Sequence, residues 1–104
     1  MTPYCVVLVT AGSHDEANRL AEMLVERRLA ACVQVTDIAS TYRWQGQVTR
    51  AAECLLLIKT AARLYLEVEA AILANHSYEV PEIVQIPIEQ GLDRYLGWID
   101  ENTK

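Results

Sequence analysis

The stretch 30–60, AACVQVTDIASTYRWQGQVTRAAECLLLIKT, constrains this chain more than any other. Two long runs with strand character flank Gln45 and Gly46. The first carries Cys32, Val33, Val35, Ile38, Tyr42 and Trp44, and the second carries Val48 and the apolar block 54–58. β-Branched and aromatic residues around a Gly-containing turn are a hairpin signal, and Gly46 can take the positive φ that tight hairpin turns need. If both arms are strands throughout, each is about 13 residues, or roughly 43 Å at about 3.3 Å per residue. The helical pattern before them, about 17 residues over 13–29, reaches only roughly 25 Å at 1.5 Å per residue. The hairpin therefore overhangs the layer that could cover it, and the overhang includes Tyr42 and Trp44. A monomer leaves those rings and an unpaired strand edge in water, which favours association. A partner subunit resolves this. The alternative is a hairpin bent near 37–40 that folds back on its own core.

Composition narrows the classes. The 104 residues suit one domain, 1–104, large enough to bury a core without disulfides or metal. Hydrophobic residues make up 52 %, which argues against disorder. Net charge is −5 and no basic cluster exceeds Arg27-Arg28, so the electrostatic footprint of a nucleic-acid partner is missing. The apolar N-terminal stretch is too short to span a membrane and lacks the basic region of a signal peptide. Cys5, Cys32 and Cys54 are an odd number with no C-x-x-C pair, which fits a reducing compartment. The expectation is a soluble, cytoplasmic protein.

In order along the chain, 3–10 reads as a strand buried on both faces. Ser13 and Glu16 form a capping box, with Glu16 reaching back to the Ser13 amide. Ala17, Leu20, Ala21, Leu24 and Val25 make one helical face, and Arg27 and Arg28 fall in its last turn. After the hairpin, Thr60 is a plausible N-cap for a second helix, 61–75, with Leu64, Val68, Ala71 and Ile72 as its buried stripe. A polar loop follows at 76–82. The segment 83–88 is a fourth strand, confined to an edge by Pro87. Asp93 can cap a final helix over 94–102. The order β-α-β-β-α-β plus a C-terminal helix is an α+β, ferredoxin-like arrangement, with the first and third strands central and both main helices on one face. A neighbour's long hairpin could cover the other face.

No G-x-S-x-G, P-loop, H-E-x-x-H or dinucleotide fingerprint is present, so the reading is of a binding protein and not an enzyme. His76, Glu79 and Glu82 form the densest polar cluster, and imidazole with carboxylates can bind a divalent cation. His14, in a first helical turn, reads as an ordinary surface residue. Arg43 could bind an anion, or bridge to a neighbouring subunit.

The segments Thr41-Tyr42-Arg43-Trp44-Gln45-Gly46, Leu56-Leu57-Ile58-Lys59-Thr60, Tyr78-Glu79-Val80-Pro81-Glu82-Ile83 and Tyr95-Leu96-Gly97-Trp98-Ile99 resemble the divalent-cation tolerance (CutA) family over nearly the whole chain. The resemblance implies a homotrimer knitted by the hairpins, with Tyr42 and Trp44 at the interface, and a likeness to trimeric PII signalling proteins. It also implies a link to copper tolerance. The candidate metal ligands are His76, Glu79, Glu82 and Cys32, for Cu²⁺ or Zn²⁺ and with no resident cofactor required. The candidate ligand-cleft residues are Tyr42, Arg43, Trp44, Lys59 and Tyr78. Three departures stand out: Ser77 for a usual Pro, which should loosen the His76 loop, Gln34 for Asn, and Gly12-Ser13 for a Pro-containing turn. Three functions compete: divalent-metal binding, PII-like sensing of a small anionic metabolite through Arg43 and Lys59, and structural support of a membrane or redox partner.

Overall fold

The computed structural model describes residues 2–104; Met1, the first residue of the domain expected over 1–104, lies outside the described residues. Strand β1 (Tyr4–Ala11) leads into helix α1 (His14–Glu26). The hairpin strands β2 (Cys32–Trp44) and β3 (Gln47–Ala61) follow, then α2 (Tyr65–Asn75), β4 (Ile83–Pro87) and α3 (Asp93–Glu101). The four strands form one antiparallel sheet in the order β2-β3-β1-β4. This is an α+β fold with the two most apolar strands central and the proline-bearing strand at an edge.

Side-chain alternation divides the sheet. Cys5, Val7 and Val9 of β1 share a face with Cys54, Leu56 and Ile58 of β3, all buried. Leu20 and Leu24 of α1 and Val68 and Ile72 of α2 close over them. The opposite face carries Val6, Leu8, Leu55 and Leu57, half-buried, and exposes Val84 and Ile86 of β4. Helix α3 gives partial cover at the Lys59 end, where Asp100 accepts a 2.8 Å hydrogen bond from the Tyr4 hydroxyl.

The hairpin is unbroken. Pairing runs from Cys32↔Lys59 to Trp44↔Gln47 without a bulge, so the bent alternative near 37–40 does not occur. Gln45 (φ 50°) and Gly46 (φ 77°) both take left-handed conformations, the requirement of a type I′ hairpin turn. Strand β1 pairs with β3 only as far as Ala11↔Cys54. Residues 47–53 of β3 therefore have β2 as their sole neighbour, a two-stranded ribbon roughly 23 Å long at about 3.3 Å per residue. Such a ribbon is marginal in water on its own. It presents Trp44, 61 % exposed, and Val48, 70 % exposed.

Strands and helices begin or end within a few residues of the sequence expectation, and three helix ends are capped differently from it. Helix α1 ends at Glu26, three residues short of Leu29. The Arg28 amide bonds Val25 O and the Leu29 amide bonds Leu24 O, a Schellman closure with Arg28 (φ 59°) in the position glycine usually takes. The Arg28 guanidinium donates to Glu101 O and Thr103 O, contacts that help hold that conformation. Arg27 and Arg28 thus lie past the last turn. Thr60 is not an N-cap: β3 continues to Ala61, a 3₁₀ turn (Ala62–Leu64) intervenes, and α2 has no side-chain cap. The Thr60 hydroxyl, fully buried, donates instead to Leu29 O at 2.6 Å. Thr60→Val leaves that carbonyl without its donor and is expected to cost about 1–3 kcal/mol, measured by urea unfolding at fixed protein concentration. Asp93 is the first residue of α3, and Leu92, which offers no side-chain hydrogen bond, is its N-cap.

Candidate functional site

The loop 76–82 leaves α2 and passes the end of β1. His76 fastens it there. Its side chain is fully buried. Nε2 lies 2.8 Å from Thr10 O; a carbonyl only accepts, so Nε2 carries the proton. Nδ1 then accepts from the Tyr78 amide at 3.0 Å. Both ring nitrogens are occupied within the chain.

Glu16 supports the same loop from α1. The first half of the capping box forms, with the Glu16 amide donating to Ser13 Oγ at 3.2 Å. The second half is diverted. The Glu16 carboxylate, on a residue only 5 % exposed, accepts from the Ser77 amide at 2.7 Å and the Ser77 hydroxyl at 2.9 Å. Burial alone would raise its pKa. The hydrogen bonds from the Ser77 hydroxyl and amide and from the Gly12 backbone outweigh that and hold it below the ordinary carboxylate range. Ser77 therefore ties the loop down, contrary to the expectation that it loosens it, and its amide donor is one a proline lacks.

Between this loop and the hairpin overhang lies a cleft of about 650 Å³. Tyr42 and Trp44 form one wall, and Tyr78, Glu79 and Glu82 form the other. Glu53 stands at the base, where its Oε2 accepts from the Tyr78 hydroxyl at 2.9 Å. Desolvation, then that bond, pushes the Tyr78 phenol up to about 12. Gly12 permits the approach: a Cβ there would sit 3.0 Å from the Tyr78 hydroxyl oxygen. Aromatic walls with three carboxylates favour a cation over an anion.

The structure sorts the residues singled out from sequence. Tyr42, Trp44, Tyr78, Glu79 and Glu82 converge on the cleft, and His76 holds the loop behind it. Cys32 faces away from the helices, beside Lys59, four residues along β3 from the Leu55 rung where Thr10 receives His76. That is roughly 13 Å at about 3.3 Å per residue. Lys59 bonds Gln34 and stands at the same distance. Arg43 alternates to the face opposite Tyr42 and Trp44, and its guanidinium donates to Gly46 O. Glu53 and Glu16 were missed. The alternation of β3 relative to Tyr42 could have flagged Glu53, since Ile38↔Glu53 and Tyr42↔Thr49 lie on one face. Only the fold could bring Glu16 to Ser77.

The family model of the CutA1 divalent ion tolerance protein matches residues 5–102. A "Divalent-cation tolerance protein CutA" of Thermus thermophilus is 46 % identical over 99 residues, 94 % of this chain and 96 % of its own length. A structure described as the periplasmic divalent cation tolerance protein CutA of Archaeoglobus fulgidus superposes with a TM-score of 0.95 at 40 % identity, covering 97 % of this chain and 99 % of that one. A "Protein CutA, chloroplastic" of Arabidopsis thaliana is 40 % identical over 103 residues, 98 % of this chain and 57 % of the plant protein.

Proposed function

The chain belongs to the CutA1 divalent ion tolerance family, and we propose on that premise that it is a non-enzymatic homotrimer that binds divalent cations, copper foremost, in the cleft beside the hairpin. The observation that carries this reading is the convergence of Glu53, Glu79 and Glu82 on one aromatic-walled cleft. For a given set of oxygen, nitrogen or sulfur donors, divalent affinity rises along the first-row series to Cu²⁺, so carboxylates suffice to rank copper first. His76 is a positioning residue here, because its nitrogens fasten the loop that carries Glu79 and Glu82.

The trimer completes what one subunit leaves open. We read the β2-β3-β1-β4 order as the ferredoxin-like arrangement, with three copies packing their uncovered sheet faces and hairpins together. Val84, Ile86, Tyr42 and Trp44 are then contact residues, and a neighbouring copy adds donors to the cleft. The free thiols suit a reducing compartment, and we place the protein in the cytoplasm. Among the described residues no helix is long and apolar enough to cross a membrane.

The metabolite-sensor reading finds less support. An anion would meet three carboxylates, with Arg43 on the far side of the hairpin and Lys59 at the other end of β3. Among the described residues no feature favours the structural-support reading.

Calorimetric titration with Cu²⁺, Zn²⁺ and Mn²⁺ tests the cleft. The double variant Glu79→Gln, Glu82→Gln is expected to lose at least about tenfold in copper affinity, or about 1.4 kcal/mol, with Cu²⁺ binding tightest to the wild type. A double variant that keeps both the copper stoichiometry and the copper affinity of the wild type removes the cleft as the site.

A further inference from the structure

A cluster of ligand-type side chains stands apart from the cleft, on the helix-covered face. Asp37 of β2 pairs with Cys54 of β3, and Cys54 pairs with Ala11 at the end of β1. The chain then turns through Gly12 and Ser13, and His14 opens α1. One rung of the sheet and the turn leaving it thus bring together a carboxylate, a thiol and an imidazole. His14 Nε2 lies 2.6 Å from Asp37 Oδ1, and Cys54 Sγ lies 3.9 Å from the same oxygen. All three ligand atoms fall within 4.8 Å of one another. It is the one such group of three among the described residues. His14 is therefore more than the plain surface residue its position in the helix suggests.

We propose that His14, Asp37 and Cys54 form a second metal site, specific for a borderline divalent cation of the Zn²⁺, Co²⁺ or Cu²⁺ class. The donor chemistry selects the class. A thiolate and an imidazole suit these ions, whereas Mg²⁺ and Ca²⁺ take oxygen ligands. The spacing fits as well. With bonds of about 2.0–2.3 Å, ligand atoms around a tetrahedral ion stand about 3.3–3.8 Å apart. The Cys54–Asp37 separation is close to that already. The His14–Asp37 contact must open by about 1 Å to reach it, and both side chains are exposed and free to adjust. Cys54, 3 % exposed, is the fixed point. Three protein ligands with an open outer side leave the fourth position to water, the pattern of a site that accepts and releases its ion. Binding displaces the Cys54 thiol proton to solvent and forms the metal–sulfur bond.

This site does not depend on the cleft, which opens on the opposite face of the sheet, and the two are tested by different variants. Co²⁺, a spectroscopic substitute for Zn²⁺, is titrated anaerobically into the wild type, His14→Ala, Cys54→Ser, Cys32→Ser and the double variant Glu79→Gln, Glu82→Gln. The expected result is a thiolate-to-cobalt charge-transfer band in the wild type, Cys32→Ser and the double variant, displaced by Zn²⁺ and lost in His14→Ala and Cys54→Ser. Should Cys54→Ser fail to fold, the exposed His14 position decides. Absence of the band in the wild type overturns the proposal, as does a band unchanged in His14→Ala or lost in Cys32→Ser alone.

Discussion

Trp44→Ala is expected to break the proposed trimer while leaving the subunit's secondary structure in place. In one chain the Trp44 ring is 61 % exposed, so its removal costs the isolated subunit little. It sits at the tip of a two-stranded ribbon whose residues 47–53 have β2 as their sole strand neighbour, on one face with the exposed Tyr42, while the exposed Val48 lies on the other face. If a neighbouring copy buries the ring, truncation carries the cost of an aromatic-to-alanine change at a packed site, roughly 3–5 kcal/mol. Each 1.4 kcal/mol is about tenfold in an association constant, and every subunit of the assembly loses its ring. Sedimentation at micromolar concentration should show smaller species with a nearly unchanged far-ultraviolet circular dichroism spectrum. A variant that sediments and melts as the wild type does would mean that Trp44 faces solvent in the working protein.

Glu16→Gln is expected to lower stability at neutral pH by about 1–3 kcal/mol, because the anionic acceptor of two Ser77 hydrogen bonds is replaced by a neutral amide. The sign of its pH dependence follows from the lowered carboxyl pKa. A carboxylate depressed in the folded state contributes its stabilisation above the unfolded value, about 4.3 for glutamate, and loses it as pH falls through the lower folded value. The gap between wild type and variant should therefore be full at pH 7 and narrow progressively below about pH 4.3. Thermal melts at pH 7 and pH 3 measure it. A gap that stays constant over that range would show that the Glu16 charge is not what ties the His76 loop to α1.

The hairpin, its turn and the central strands were legible because their signals are local. Alternation, the apolar block 54–58 and the Gly46 turn each fix geometry within a few residues. The Glu26 terminus of α1 was not legible, because Arg28 holds a left-handed conformation that sequence usually marks with glycine, and contacts from the distant C-terminus sustain it. Thr60 carries an N-cap signature, but a buried carbonyl 31 residues away claims its hydroxyl. At the site, sequence proximity collected His76, Glu79 and Glu82 correctly into one loop. It could not show that the His76 ring points inward while the carboxylates face the cleft, nor that Glu53 joins them across the sheet. The cluster of His14, Asp37 and Cys54 spans three elements and exists only once the β2–β3 register is set.

On the proposed function, three copies complete a subunit whose hairpin and second sheet face are left uncovered. Sedimentation equilibrium of the wild-type protein tests it most directly, over a wide concentration range and without added metal. A single species of three times the 11.7 kDa chain mass is expected, with a melting temperature that rises with protein concentration because folding and assembly are linked. A monomer of 11.7 kDa at every concentration, melting at a fixed temperature, would contradict it.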